Sequence, residues 1–257
     1  MELEILGLGV AAPLGAGCPC YAVSTGSTLL MLDFGPGAHE RAWQRDMLGR
    51  IDAIVISHMH LDHMLDLLPL SGEVTQVAVG PNARRPIVYV PRRRGREVLT
   101  TLAEALSSDP GRFDTAFDLR EYDDSDELEV GDLRLTFVTT AHALPALAPR
   151  VTDGKTTLVY SADAAYRESL VQHATGADLL LLEATYLEPG EHLEREGHMT
   201  GEQAADVAQQ AGAKRLVLTH TKPFAEENEE NLRRARARFG GDVQLASRGA
   251  VFRMEAA

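Results

Sequence analysis

The residues that decide the reading are Ile51-Asp52-Ala53-Ile54-Val55-Ile56-Ser57-His58-Met59-His60-Leu61-Asp62-His63. The first part is an apolar run of strand type, rich in β-branched residues. It is followed within six positions by three histidines and an aspartate. Between a strand and a helix the backbone has neither the two-residue nor the 3.6-residue repeat, so these side chains can turn toward one point. Gathered at a strand's end, they would bury several polar groups at a cost unless something bound them. The pattern therefore predicts a metal site at His58, His60, Asp62 and His63.

The same placement recurs along the chain. His142 follows LRLTFVTTA, Asp163 follows TLVYSA, and His220 follows RLVLT. Strands are expected at 2–6, 21–24, 29–33, 53–57, 128–130, 133–139, 157–161, 179–183 and 215–219. The Gly131-Asp132 pair is expected to close a hairpin. Helices are expected at 38–47, after His63, and at 95–106, 165–173 and 200–210; Thr200 with Gln203 reads as a capping box. TLLMLDFGPG and TLVYSADAAY each set an aspartate at the end of an apolar strand. That repeat predicts two β-rich halves, about 1–125 and 126–257, packed face to face. Helices outside them would complete an α/β four-layer αββα sandwich, one domain over 1–257, with acidic residues 123–129 at the junction. Strand ends on one shared edge would then bring His142, Asp163 and His220 to the first cluster.

The charge balance narrows the partners. Lys and Arg number 25 against 38 Asp and Glu, a net charge of −13. Such a surface repels polyanions at long range and argues against a broad nucleic-acid face. Arg84, Arg85, Arg92, Arg93, Arg94 and Arg96 could contact a phosphate-bearing ligand locally, or form a solvated loop. Arg233, Arg234, Arg236 and Arg238 follow the acidic run 226–230 on one expected helix, an order that suits the helix dipole and needs no partner. Cys18 and Cys20 are too close in sequence for an unstrained disulfide and read as loop or core residues. No signal segment or bilayer-length apolar run is evident, so a cytoplasmic protein without a membrane partner is expected.

The order His-x-His-x-Asp-His, then His, Asp and His, resembles the metallo-β-lactamase superfamily. By that resemblance, His58, His60 and His142 would hold one divalent metal ion and Asp62, His63 and His220 a second, with Asp163 bridging. Asp33, in Leu-Asp-Phe-Gly-Pro-Gly, would orient a ligating histidine from behind. With only imidazole and carboxylate donors, Zn2+ is the expected metal, with Mn2+ or Fe2+ as alternatives. Within the superfamily, Leu182-Glu183-Ala184-Thr185, the segment 197–205 (GHMTGEQAA) and the segment 215–220 (RLVLTH) resemble ribonuclease Z and the smaller phosphodiesterases related to it. The resemblance assigns proton delivery to Glu183 and His198, while Asp62 and Asp163 would steer the nucleophile. Homodimers are the form it implies.

Three departures bear on the substrate. Leu182 replaces a histidine, Asp66 stands where a glycine usually follows the metal motif, and only residues 143–162 lie where ribonuclease Z carries its tRNA-gripping arm. The expectation is a dinuclear phosphodiesterase for a small substrate such as a cyclic nucleotide. A tRNA 3′ endonuclease acting on RNA is the alternative enzyme, and a non-catalytic metal or nucleotide sensor the alternative of another class. Arg150, downstream of His142, could assist at the substrate phosphate or form a structural ion pair.

Overall fold

The computed structural model describes residues 1–11, 15–77, 85–107, 109–190 and 196–255. Two seven-stranded mixed sheets face each other. The first holds β1 (Glu2–Gly7), β2 (Cys20–Ser24), β3 (Leu29–Leu32), β4 (Ala53–Val55), β5 (Ile87–Pro91) and β6 (Asp118–Tyr122), with β14 (Val251–Arg253) beside β1. The second holds β7 (Leu128–Val130), β8 (Leu133–Thr139), β9 (Leu147–Thr152), β10 (Thr157–Tyr160), β11 (Leu179–Glu183), β12 (Arg215–Thr219) and β13 (Asp242–Leu245). Pairing is antiparallel from β14 through β3 and parallel from β3 to β6. The second sheet repeats this plan, antiparallel from β7 to β10 and parallel from β10 to β13.

Side-chain alternation makes the layers. In β11, Leu179 and Leu181 face the core between the sheets, while Leu180 and Leu182 face outward under helices. Leu30 and Leu32 of β3 likewise point inward and Met31 outward. Strands buried on both faces read as unbroken apolar runs, which is why LLML and LLLLE lack a polar alternation. The outer face of the second sheet is covered by α6 (Glu168–Ala174), α7 (Gly201–Ala211) and α8 (Ala225–Arg238). The first is covered by α1 (Ala38–Gln44), α3 (Leu67–Gly72), α4 (Gly95–Leu106) and α5 (Arg112–Ala116). The layering is the expected αββα sandwich.

Two local readings change. The metal motif is not all loop, because α2 (Leu61–Met64) begins within it and places Asp62 and His63 on a helical turn. The helix expected at 165–173 starts three residues later, since Ala165 is held in a bridge to Ala141 and Arg167 is extended. Cys18 and Cys20 are buried free thiols.

Candidate metal centre

The expected ligands come from five different elements that meet at one edge of the sandwich. His58 and His60 follow β4, Asp62 and His63 ride on α2, and His142 follows β8. Asp163 follows β10 and His220 follows β12. Among the described residues three overlapping groups of donor atoms gather here. His58, His60, His142 and Asp163 make one set, Asp62, His63 and His220 another, and Asp163, His198 and His220 a third that overlaps both, each within 4.8 Å. Nε2 of His58 and Nε2 of His142 lie 3.0 and 3.1 Å from Nδ1 of His60. Nε2 of His63 and Nε2 of His220 are 3.3 Å apart.

The outward ring nitrogens fix the tautomers. Ser57 Oγ donates to Asp33 and therefore accepts from His58 Nδ1 at 3.1 Å. His63 Nδ1 donates to Asp33 Oδ2 at 2.7 Å, and His142 Nδ1 to the Gly197 carbonyl at 3.1 Å. Thr185 Oγ1 donates to Glu183 Oε2 at 2.7 Å, so it accepts from His220 Nδ1 at 2.9 Å. With each Nδ1 spent as a donor, four Nε2 lone pairs point at one another. Lone pairs so arranged repel unless a cation lies among them, which is the arrangement metal-ligating imidazoles require.

Asp163 sits between the first two sets. Its Oδ1 is 3.3 Å from His63 Nε2 and 3.3 Å from His220 Nε2, while Oδ2 is 3.6 Å from His58 Nε2 and 3.8 Å from His142 Nε2. Oδ1 is buried without a hydrogen-bond partner. A buried carboxylate oxygen so orphaned is costly, and a metal ion would satisfy it. The residues present therefore fit a pair of divalent cations. Against the pull of burial, the carboxylates of Asp163 and Asp33 raise His63 well above the usual histidine range, so a proton competes for the place of a cation. Burial holds His58 well below that range.

Backbone strain concentrates here. Asp33, Ala162 and His220 have φ of 59°, 52° and 50°. Left-handed non-glycine residues cost of order 1–3 kcal/mol each and persist where the surrounding structure holds them. Gly197 (φ 82°) is needed for close approach, since a Cβ there would lie 2.3 Å from His142 Cα.

Glu183 and His198 meet beside this cluster. His198 Nδ1 donates to Glu183 Oε1 at 2.9 Å, and the fully buried Glu183 also accepts from Ala164 N and Thr185 Oγ1, both at 2.7 Å. Burial works against charge on His198, but the Glu183 carboxylate, helped by Asp163, raises it to about 9. Nδ1 is thereby committed to Glu183, and Nε2 is the atom left to meet a ligand. The expected capping box is present just beyond, with Thr200 Oγ1 accepting from Gln203 N at 3.2 Å and Gln203 Oε1 from Thr200 N at 3.0 Å.

Other expectations resolve differently. Arg150 does not reach the cluster; its Nη1 donates to the His173 and Thr175 carbonyls at 2.8 and 3.1 Å, closing the C-terminus of α6. Asp66 accepts from Gly37 N and His39 N at 2.9 and 3.0 Å, satisfying the start of α1. Leu182 packs into the outer core. Arg85 donates to the Asp114 and Phe117 carbonyls, Arg92 pairs with Asp123 and Asp126, and Arg96 pairs with Asp114. Arg84 lies outside the described residues. Two supports were missed in sequence: Tyr160, whose hydroxyl donates to Asp33 Oδ2 at 2.8 Å, and Thr185 behind His220. A tyrosine in a doubly buried strand, whose hydroxyl must find a partner, was the available signal for the first.

A family model described as a β-lactamase superfamily domain matches residues 29–221. The chain belongs to the metallo-β-lactamase superfamily. It is 29% identical over 234 residues to the probable metallo-hydrolase YhfI of Bacillus subtilis, covering 90% of this chain and 91% of that protein. The crystal structure of YhfI superposes with a TM-score of 0.85 at 25% identity, over 98% of both chains. Ribonuclease Z of Methanopyrus kandleri is 28% identical over 273 residues, covering 91% of this chain and 92% of its own. A diphosphatase of the PhnP family shares the fold, with a TM-score of 0.74 at 22% identity over 99% and 98% of the two chains. As a superfamily member with this histidine and aspartate cluster, the chain is a metallo-hydrolase binding divalent metal. Among the described residues, no helix is long and apolar enough to cross a membrane.

Proposed function

We propose that this metallo-hydrolase is a dinuclear phosphodiesterase acting on a small phosphodiester such as a cyclic nucleotide. The observation that carries the reading is Asp163, whose two carboxylate oxygens face two different sets of imidazoles. His58, His60 and His142 would hold one cation, Asp62, His63 and His220 the other, and Asp163 would lie between them. Zinc suits the imidazole and carboxylate donors, and manganese or iron(II) could replace it. When bound, such a pair supplies a nucleophile active at neutral pH and neutralises charge on the phosphate.

The chain's own residues do the rest. Asp62, fixed by the Ala11 amide at 3.0 Å, orients the attacking water together with Asp163. His198, charged at neutral pH, donates its Nε2 proton to the departing oxygen, which matters because an alkoxide is a poor leaving group. Glu183 keeps the ring in place and stabilises its charge.

Ribonuclease Z activity on precursor tRNA is the competing reading, supported by the 28% identity. The connection from His142 to Asp163 is a single hairpin, Leu147–Thr152 with Thr157–Tyr160, which is too short for a tRNA-gripping arm. The acidic surface also opposes a long polyanion. A metal-reconstituted screen of linear, 2′,3′-cyclic and 3′,5′-cyclic phosphodiesters with a precursor tRNA tests the choice. Turnover of a small diester is expected; cleavage of the tRNA alone would select the rival, and no turnover with any metal would favour a sensor.

A further inference from the structure

Of the arginine-rich segment, Arg93 and Arg94 differ from their neighbours. Both are exposed, and no hydrogen bond or ion pair holds either guanidinium among the described residues, whereas those of Arg85, Arg92 and Arg96 are all engaged. They line a cleft of about 120 Å³ with Met59, Val98, Leu144 and Pro145. Met59 lies between His58 and His60, and Leu144 and Pro145 follow His142. By chain connectivity the cleft lies close to those three histidines, none of which lines it.

An unpaired arginine in solvent needs no explanation by itself. Here two guanidiniums line one cleft, and neither has an ion-pair partner among the described residues, in a chain whose net charge is −13. They stand over apolar walls beside a cluster built for a phosphate. Arg94 also has φ 73°, a conformation in which glycine would sit without strain. Guanidinium groups match phosphate geometry and steer anions toward a cleft. The apolar walls suit the body of a nucleoside.

We propose that Arg93 and Arg94 bind a second phosphate on the substrate, next to an apolar part resting on Met59, Val98, Leu144 and Pro145. Among small phosphodiesters, those carrying a further phosphate are then preferred over those without one. This rests on the phosphodiesterase reading above.

The test compares thymidine 5′-(4-nitrophenyl phosphate) with its 3′-phosphorylated counterpart, which share the scissile bond and leaving group. Wild type should favour the 3′-phosphorylated ester by about tenfold or more in kcat/KM, chiefly through KM, the size of one charge-assisted contact. Arg93→Gln with Arg94→Gln should erase that preference, making the two esters equal substrates, while metal content by elemental analysis stays at the wild-type level. Arg50→Gln, an exposed arginine elsewhere, should keep it. Equal kcat/KM for the two esters with wild type would overturn the subsite but not the phosphodiesterase. If no diester is hydrolysed, the phosphodiesterase reading fails, and calorimetry still judges the subsite. Thymidine 3′,5′-bisphosphate should then bind wild type more tightly than thymidine 5′-monophosphate, and the double variant should bind both alike. Equal affinities for wild type would overturn it.

Discussion

The Tyr160 hydroxyl crosses from the second sheet to the first and donates to Asp33 Oδ2 at 2.8 Å, the oxygen that also receives His63 Nδ1 at 2.7 Å. The core between the sheets thus aims a histidine of the metal centre. Tyr160→Phe removes one donor from a fully buried carboxylate. A loss of about 1–2 kcal/mol in stability is expected. Affinity for the cation at His63 and His220 should drop by roughly tenfold or more, as for other partners behind metal ligands. Chelator-competition titration and urea unfolding measure the two effects; no change in either would mean that Tyr160 does not support the site.

His198 and Glu183 act as a pair in this account. His198→Ala should retain its metals and lose turnover, by about 100-fold or more for an alkyl leaving group and far less for 4-nitrophenolate. Equal losses for both would remove the acid role. The protonated, active form of His198 exists below about 9 and is lost above it, so its loss should appear as an alkaline limb in the turnover of poor leaving groups. Glu183→Gln withdraws the charge that raises His198 and should move that alkaline limb to lower pH. A limb that stays in place would show that another group titrates there.

Arg150 is predicted to be structural. Arg150→Met removes the guanidinium that serves two carbonyls at the end of α6. The expected cost is about 1–2 kcal/mol in stability, with kcat/KM unchanged. A hundredfold loss of kcat/KM in a stably folded variant would return Arg150 to the substrate.

His173 gives the fold an acid-sensitive point. Its Nε2 is buried without a partner, and burial, with the nearby Arg150 charge, lowers its pKa from 6.5 to about 4. The unfolded chain then binds the proton more readily than the folded one. The full contribution of the neutral ring holds above 6.5 and is lost as pH falls from 6.5 toward 4, a change of about 2–3 kcal/mol. Urea unfolding of metal-loaded wild type and His173→Leu at pH 7 and pH 5 measures this. The variant should lose less stability between the two; identical losses would contradict it.

Much of the site could be read in sequence because its residues leave buried strands that announce themselves. The strands Leu179–Glu183 and Arg215–Thr219 and the helix Gly95–Leu106 have the expected bounds. Strands at the margins were not legible. DLREY in β6 and DVQL in β13 are short edge strands carrying charge, which discourages edge pairing and hides the two-residue pattern. Ile87–Pro91 is a short run flanked by arginines, and its strand identity rests on β4 and β6, which pair with it on both sides. Asp66 looked like a departure from pattern, yet it serves the amides of a helix nearly thirty residues earlier. That contact has no local signature.

The central claim is tested most directly by counting metal. Purified wild type should hold close to two transition-metal ions per chain by elemental analysis. His60→Ala should hold less, and Asp163→Ala, which removes the carboxylate between both sets, should lose most of its metal. Unchanged occupancy in both variants would contradict the account.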